Sequence, residues 1–161
     1  MKKMWSSREE LDIEAASDHA SKLVLLGSAQ RAGIFEALAG EKDIAALKRE
    51  LGADEHALYV VLEALCATGY AVRTGNKYII ADKARSLFLP GGRDYAGGSL
   101  PHFLDIMQAW LALPEIIKGA KPAKGEKHDV AAFMNAMASK PDEVAEEAVN
   151  HCMKRKKDAK N

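Results

Sequence analysis

Five histidines (His19, His56, His102, His128 and His151) and two cysteines (Cys66 and Cys152) are the residues whose types lend themselves to nucleophilic, acid–base or metal chemistry. A site of that kind needs groups of matched role brought together, such as a nucleophile with its base or paired carboxylates. No pair here has HExxH or CxxC…H spacing. His151 and Cys152 are neighbours on a helix and point about 100° apart, which disfavours joint ligation. His102, which opens a Gly-flanked apolar helix beside Phe103, is the one histidine to watch, although an ordinary helix-start role is preferred. Gly91-Gly92 and Gly97-Gly98 lack the strand, GxGxxG turn and helix that would cradle a phosphate. What remains is apolar: one helix carries Phe103, Ile106, Trp110, Leu113 and Ile117 on one stripe and Leu104, Met107 and Leu111 on a neighbouring one, and its Phe103, Met107 and Trp110 are the candidates. They suit either a pocket for an aromatic or apolar molecule or a helix-packing or subunit seam. For each residue alone the seam is preferred, and the two roles agree where a pocket sits at a seam.

The elements that must carry these residues are read from periodicity. The first helix is expected from Arg8 or Glu9 to about Ala29, with Ile13, Ala16, Ala20, Leu23, Val24 and Leu26 forming a broad apolar surface. A short helix follows Gly33, a second main helix runs from about Asp43 to Glu50, and Asp54 caps a third. In that third helix Leu58, Val61, Leu62 and Leu65 repeat at helical spacing. Tyr70-Ala71-Val72 and Tyr78-Ile79-Ile80 pair as a hairpin turning at Thr74-Gly75-Asn76, and Asp82 to Phe88 closes the unit. The outline is that of a winged helix-turn-helix.

A long apolar helix is expected from about Leu100 to Lys118, bent or divided after Leu113 by Pro114. So much of its circumference is apolar that one small core cannot cover it. A polar loop from Gly119 to His128, a helix carrying Val130, Phe133, Met134 and Met137, and a last helix opening at Ser139-Lys140-Pro141-Asp142 complete the chain. The expected division is a flexible N-terminus (1–10), the first helix with the winged unit (11–89), a Gly-rich linker (90–99), a helical extension (100–157) and a short link (158–161).

Winged units often read DNA through Arg, Lys, Asn or Gln on the recognition helix. Here the third helix offers Asp54, Glu55, His56 and Glu63, with no Lys or Arg between Ala53 and Gly69. Such a face repels a duplex. Lys plus Arg equals Asp plus Glu at 23 each, so no net field favours nucleic acid or an anionic membrane. The run Lys154-Arg155-Lys156-Lys157 suits a helix C-terminus. No apolar run approaches ~20 residues and the start MKKMWSSREE lacks a signal-peptide core, so a cytoplasmic protein is expected. A chain of 161 residues can bury about 68% of its unfolded surface.

The order GIFEALAG, DIAALKRELG, ADEHALYVVLEALCATGYAV, NKYIIADKARSLF, QAWLALPEIIKGAKP and AAFMNAM resembles the N-terminal dimerisation region of S-adenosylmethionine-dependent O-methyltransferases of the hydroxyindole, caffeate and polyketide-tailoring type. The resemblance extends from about Asp18 to Cys152. It implies a mainly α fold: a winged-helix-like unit with a small β-hairpin wing, plus N- and C-terminal helices forming an intertwined homodimer. Leu23, Val24 and Leu26 would then lie at the dimer interface, and Phe103, Met107, Trp110, Met134 and Met137 would contact a small aromatic or apolar methyl acceptor. In that family a glycine-rich donor site and a catalytic histidine follow beyond the point where this sequence stops. The expectation is therefore no catalytic residue and no cofactor in this chain, S-adenosylmethionine for the full-length enzyme, and no methyl transfer by the chain alone. A winged DNA-binding regulator, supported by Arg73, Lys77, Lys83, Arg85 and the basic tail, and a small aromatic-ligand-binding protein are the alternatives.

Overall fold

The computed structural model describes residues 12–121, 130, 131, 133 and 134. The expected N-terminal segment 1–10, the last helix, Met137, the basic run and the terminal link lie outside the described residues. Helix α1 (Ile13–Arg31) begins at Asp12, whose carboxylate accepts from the Ala15 N–H at 2.9 Å. Gly33, at φ +72°, turns the chain into α2 (Ile34–Ala37). Strand β1 (Lys42–Asp43) leads into α3 (Ile44–Leu51), and α4 (Glu55–Ala67) follows the left-handed Gly52. Asp43 and Asp54 cap these two helices by accepting from the N–H groups of Ala46 and Ala57, as Asx side chains do at helix starts.

The wing is strands β2 (Ala71–Thr74) and β3 (Lys77–Ile80), antiparallel with Ala71 opposite Ile80 and Thr74 opposite Lys77. A third strand extends it: β1 pairs with β3, Lys42 opposite Tyr78, giving the order β1-β3-β2. Strand β1 is not foreseen from periodicity, because two polar residues carry no alternation and Asp43 is expected only as the start of a helix. In the structure Asp43 both caps α3 and pairs with Lys77.

Phe35, Leu38, Leu47, Leu58, Leu62, Leu65 and Ile80 are buried at the centre. Helix α5 (Asp82–Phe88) closes the unit by stacking Phe88 on Phe35, ring centroids 4.4 Å apart, with Tyr70 edge-on at 5.7 Å. The fold is mainly helical with a three-stranded antiparallel sheet, an arrangement consistent with a winged-helix-like unit preceded by α1.

Residues 90–99 are held against that unit. The Ala96 N–H donates to the Leu87 carbonyl at 2.8 Å, and a 3₁₀ turn (Gly97–Ser99) is buried at Gly97 and Ser99. Gly92 approaches Ser86 so closely that an added Cβ would stand 2.2 Å from the Ser86 carbonyl oxygen. Helix α6 (Leu100–Leu111) then crosses α1, and α7 (Leu113–Ile117) follows a break at Ala112. Pro114 falls in the first turn of α7, where its missing N–H costs nothing. The division therefore comes at Ala112, slightly ahead of the expected point after Leu113.

Gly92→Ala is expected to lower stability by about 1–3 kcal/mol through overpacking against backbone. Gly40→Ala, which meets nothing within 4 Å, serves as the control and leaves stability near wild type. Urea titration of both variants checks this, and equal midpoints would contradict the packing account.

Candidate functional site

The described residues present two candidate surfaces, the outer face of α4 with its wing and the α6–α7 arm. On the first, Asp54, Glu55 and His56 are exposed, with Tyr59 and Val60 behind them. Glu63 accepts from the Tyr78 hydroxyl at 2.7 Å and from Arg73 Nη1 at 2.9 Å, while the Arg73 guanidinium lies over the Tyr78 ring. Lys77 reaches Glu41, Lys83 sits 5.0 Å from the Tyr70 ring centroid, and Arg85 donates to the Ala39 carbonyl. The four cations around the wing thus each face a partner within the chain.

The same cluster shapes titration. Burial, then the hydrogen bond and charge of Glu63, push the Tyr78 phenol up to about 12. Burial also pushes the Cys66 thiol up, with Glu63 adding to it; less thiolate at neutral pH weakens Cys66 as a nucleophile. Among the described residues no group of three or more His, Cys, Asp or Glu could hold a metal ion, and no helix is long and apolar enough to cross a membrane.

On the second surface, α6 presents Phe103 and Trp110 to solvent, Trp110 at 65% exposure, with Met107 half-buried between them. Leu111, Leu113 and Ile117 extend the apolar strip, Ile117 at 83% exposure. Phe133 and Met134 are also exposed, and the Phe133 ring meets the His102 ring edge-on at 5.3 Å. Phe133 therefore belongs beside the start of α6, a neighbour that helical spacing alone does not supply. Met137 is outside the described residues.

On α1, Leu23 and Leu26 are half-buried against the core and Val24 is exposed. The helix is solvent-facing over its first half, with Ile13 at 72% exposure. Its grip on the fold lies further along, at the buried residues Gly27, Ala29 and Gln30.

The neutral Tyr78 phenol is favoured in the folded chain, so its contribution is complete below about pH 10 and is lost as pH rises through about 12. Urea unfolding should show wild type more stable than Tyr78→Phe by about 1 kcal/mol at pH 8, with the gap closing between pH 10 and 12. A gap that widens with pH would contradict the assigned environment.

No protein-family model matches the chain, and no curated protein does. Solved structures do. An O-methyltransferase family protein from Burkholderia thailandensis is 22% identical, with TM-score 0.63, the match covering 83% of this chain and 43% of that one. Human N-acetylserotonin methyltransferase in complex with S-adenosylmethionine is 17% identical, with TM-score 0.61, covering 83% and 47%. The N,N-8-amino-8-demethyl-D-riboflavin dimethyltransferase of Streptomyces davawensis is 18% identical, with TM-score 0.64, covering 79% and 43%. The chain spans less than half the length of each. It shares the fold of one region of these methyltransferases.

Proposed function

We propose that this chain is the dimerisation and acceptor-positioning portion of an S-adenosylmethionine-dependent O-methyltransferase, not catalytic by itself. The observation that carries this reading is the apolar strip of Phe103, Trp110, Leu111, Leu113 and Ile117, which one copy of the chain leaves uncovered among its described residues. Large apolar side chains left exposed together on one arm are the kind of surface that interaction or ligand sites use. The likeness to methyltransferases over most of this chain supports the same reading.

In the complete enzyme the methyl donor is bound outside this chain. This portion supplies orientation and exclusion of water at the acceptor, not proton transfer. Phe103, Met107 and Trp110 contact the acceptor, joined by Met134 and Met137, and the second copy packs on the α1 face that includes Leu23, Val24 and Leu26. The acceptor is a small aromatic or apolar molecule, and the partner is an identical chain. The fold's outline keeps a DNA-binding regulator in view, but the acidic α4 face and the paired wing cations work against that reading. No membrane role is proposed, and the location is cytoplasmic.

Sedimentation of the chain at micromolar concentration is expected to show a dimer, and Val24→Glu together with Ile117→Glu is expected to weaken it by at least about tenfold. A wild-type chain that stays monomeric would defeat the dimerisation reading. Salt-dependent, sequence-specific binding to duplex DNA would replace it with the regulator.

A further inference from the structure

Helix α6 has two working sides. Taking about 100° per residue, Phe103, Met107 and Trp110 fall within an arc of about 60°. Pro101, Leu104 and Asp105 centre about 150° away from it. That other side is gripped by α1. Arg31, the last residue of α1, uses Nη2 to donate both to the Asp105 carboxylate at 2.6 Å and to the Pro101 carbonyl at 2.7 Å. One turn earlier on α1, Gly27 leaves room for Leu104: a Cβ built there would stand 2.8 Å from Leu104 Cγ. Leu104 lies between Pro101 and Asp105 along α6 and about 60° to 100° round the helix from them, so the notch and the guanidinium hold α6 from two directions and together resist rotation about its axis.

We propose that Arg31, working with the Gly27 notch, is a positioning residue that sets the rotation of α6 and so aims Phe103, Met107 and Trp110 at the acceptor. This rests on the acceptor-positioning reading given above. Arg31 touches no acceptor itself; it acts through Asp105 and Pro101. A turn of α6 by one residue would carry Trp110 about 100° round the helix and replace the aromatic stripe with Leu104 and Leu111. The exposed ion pair is a weak contributor to stability on its own, which leaves orientation as its main effect. Lysine at position 31 would retain the charge toward Asp105 but lose the planar guanidinium, whose several N–H donors suit a paired carbonyl and carboxylate.

The test uses the full chain with Trp5→Phe, so that Trp110 is the sole tryptophan of the two, and compares Arg31→Ala and Arg31→Lys. The probe is 2-naphthol, followed by Trp110 fluorescence; acrylamide quenching of Trp110 without probe reports its exposure. Hydrogen exchange across α3, α4 and α5 reports the fold. Arg31→Ala is expected to weaken naphthol binding about threefold to tenfold and to change Trp110 quenching, with exchange in α3–α5 unaltered. Arg31→Lys should recover part of both.

Unchanged Trp110 quenching in Arg31→Ala, or a change matched by lost protection in α3–α5, would overturn the proposal. If wild type does not bind naphthol while Trp110 quenching still responds to Arg31→Ala, the control of α6 rotation stands. In that case it is the acceptor role of the stripe that falls.

Discussion

The stack of Phe88 on Phe35 is the contact on which the rest of the arrangement depends. It joins the helix that leaves α1 to the helix that ends the wing, two segments far apart in sequence. Once α5 is fixed there, its last turn becomes the floor for residues 92–97, with Gly92 against Ser86 and Ala96 bonded to Leu87. That floor sets where α6 starts. Helix α6 can then lie along α1, and the stripe of Phe103, Met107 and Trp110 comes to face away from the core.

Electrostatics reinforce this division of labour. Glu63 lies on the helix that would read a groove in a DNA-binding winged unit, yet it is spent on Tyr78 and Arg73. Wing and helix are locked together by a carboxylate, a phenol and a guanidinium, so the charge that might meet a phosphate is neutralised at home. The face left over is acidic at Asp54 and Glu55 and apolar at Tyr59 and Val60. The α1 and α6 junction uses the opposite logic, a small residue for close approach and one cation spanning a helical turn.

Much of this is legible from the residues. The cap at Asp54, a helix starting near Asp43, the buried Leu58, Leu62 and Leu65, the hairpin turning at Gly75 and the helix from Asp82 to Phe88 all follow from spacing and turn chemistry. Strand β1 does not, because its pairing with β3 is a long-range event carried by two polar residues. The packed state of residues 90–99 is equally hidden: Pro and Gly signal the lack of regular structure, whereas Gly92 and Gly97 are small because neighbours press on them. Of the candidate site, Phe103 and Trp110 are visible as one apolar stripe and Met107 as part of its neighbour on the same helix. The approach of Phe133 to His102, and the reach of Arg31 across some seventy residues of sequence, depend on how helices cross.

The interruption at Ala112 gives the apolar arm a joint. A continuous rod of this length could adjust to an uneven neighbour only by bending its whole ladder of backbone bonds. Two short segments meeting at one residue can each settle separately, at the expense of a few torsions. Any change in the arm's direction would therefore fall at Ala112 and move Leu113–Ile117, leaving Phe103 and Met107 with α6.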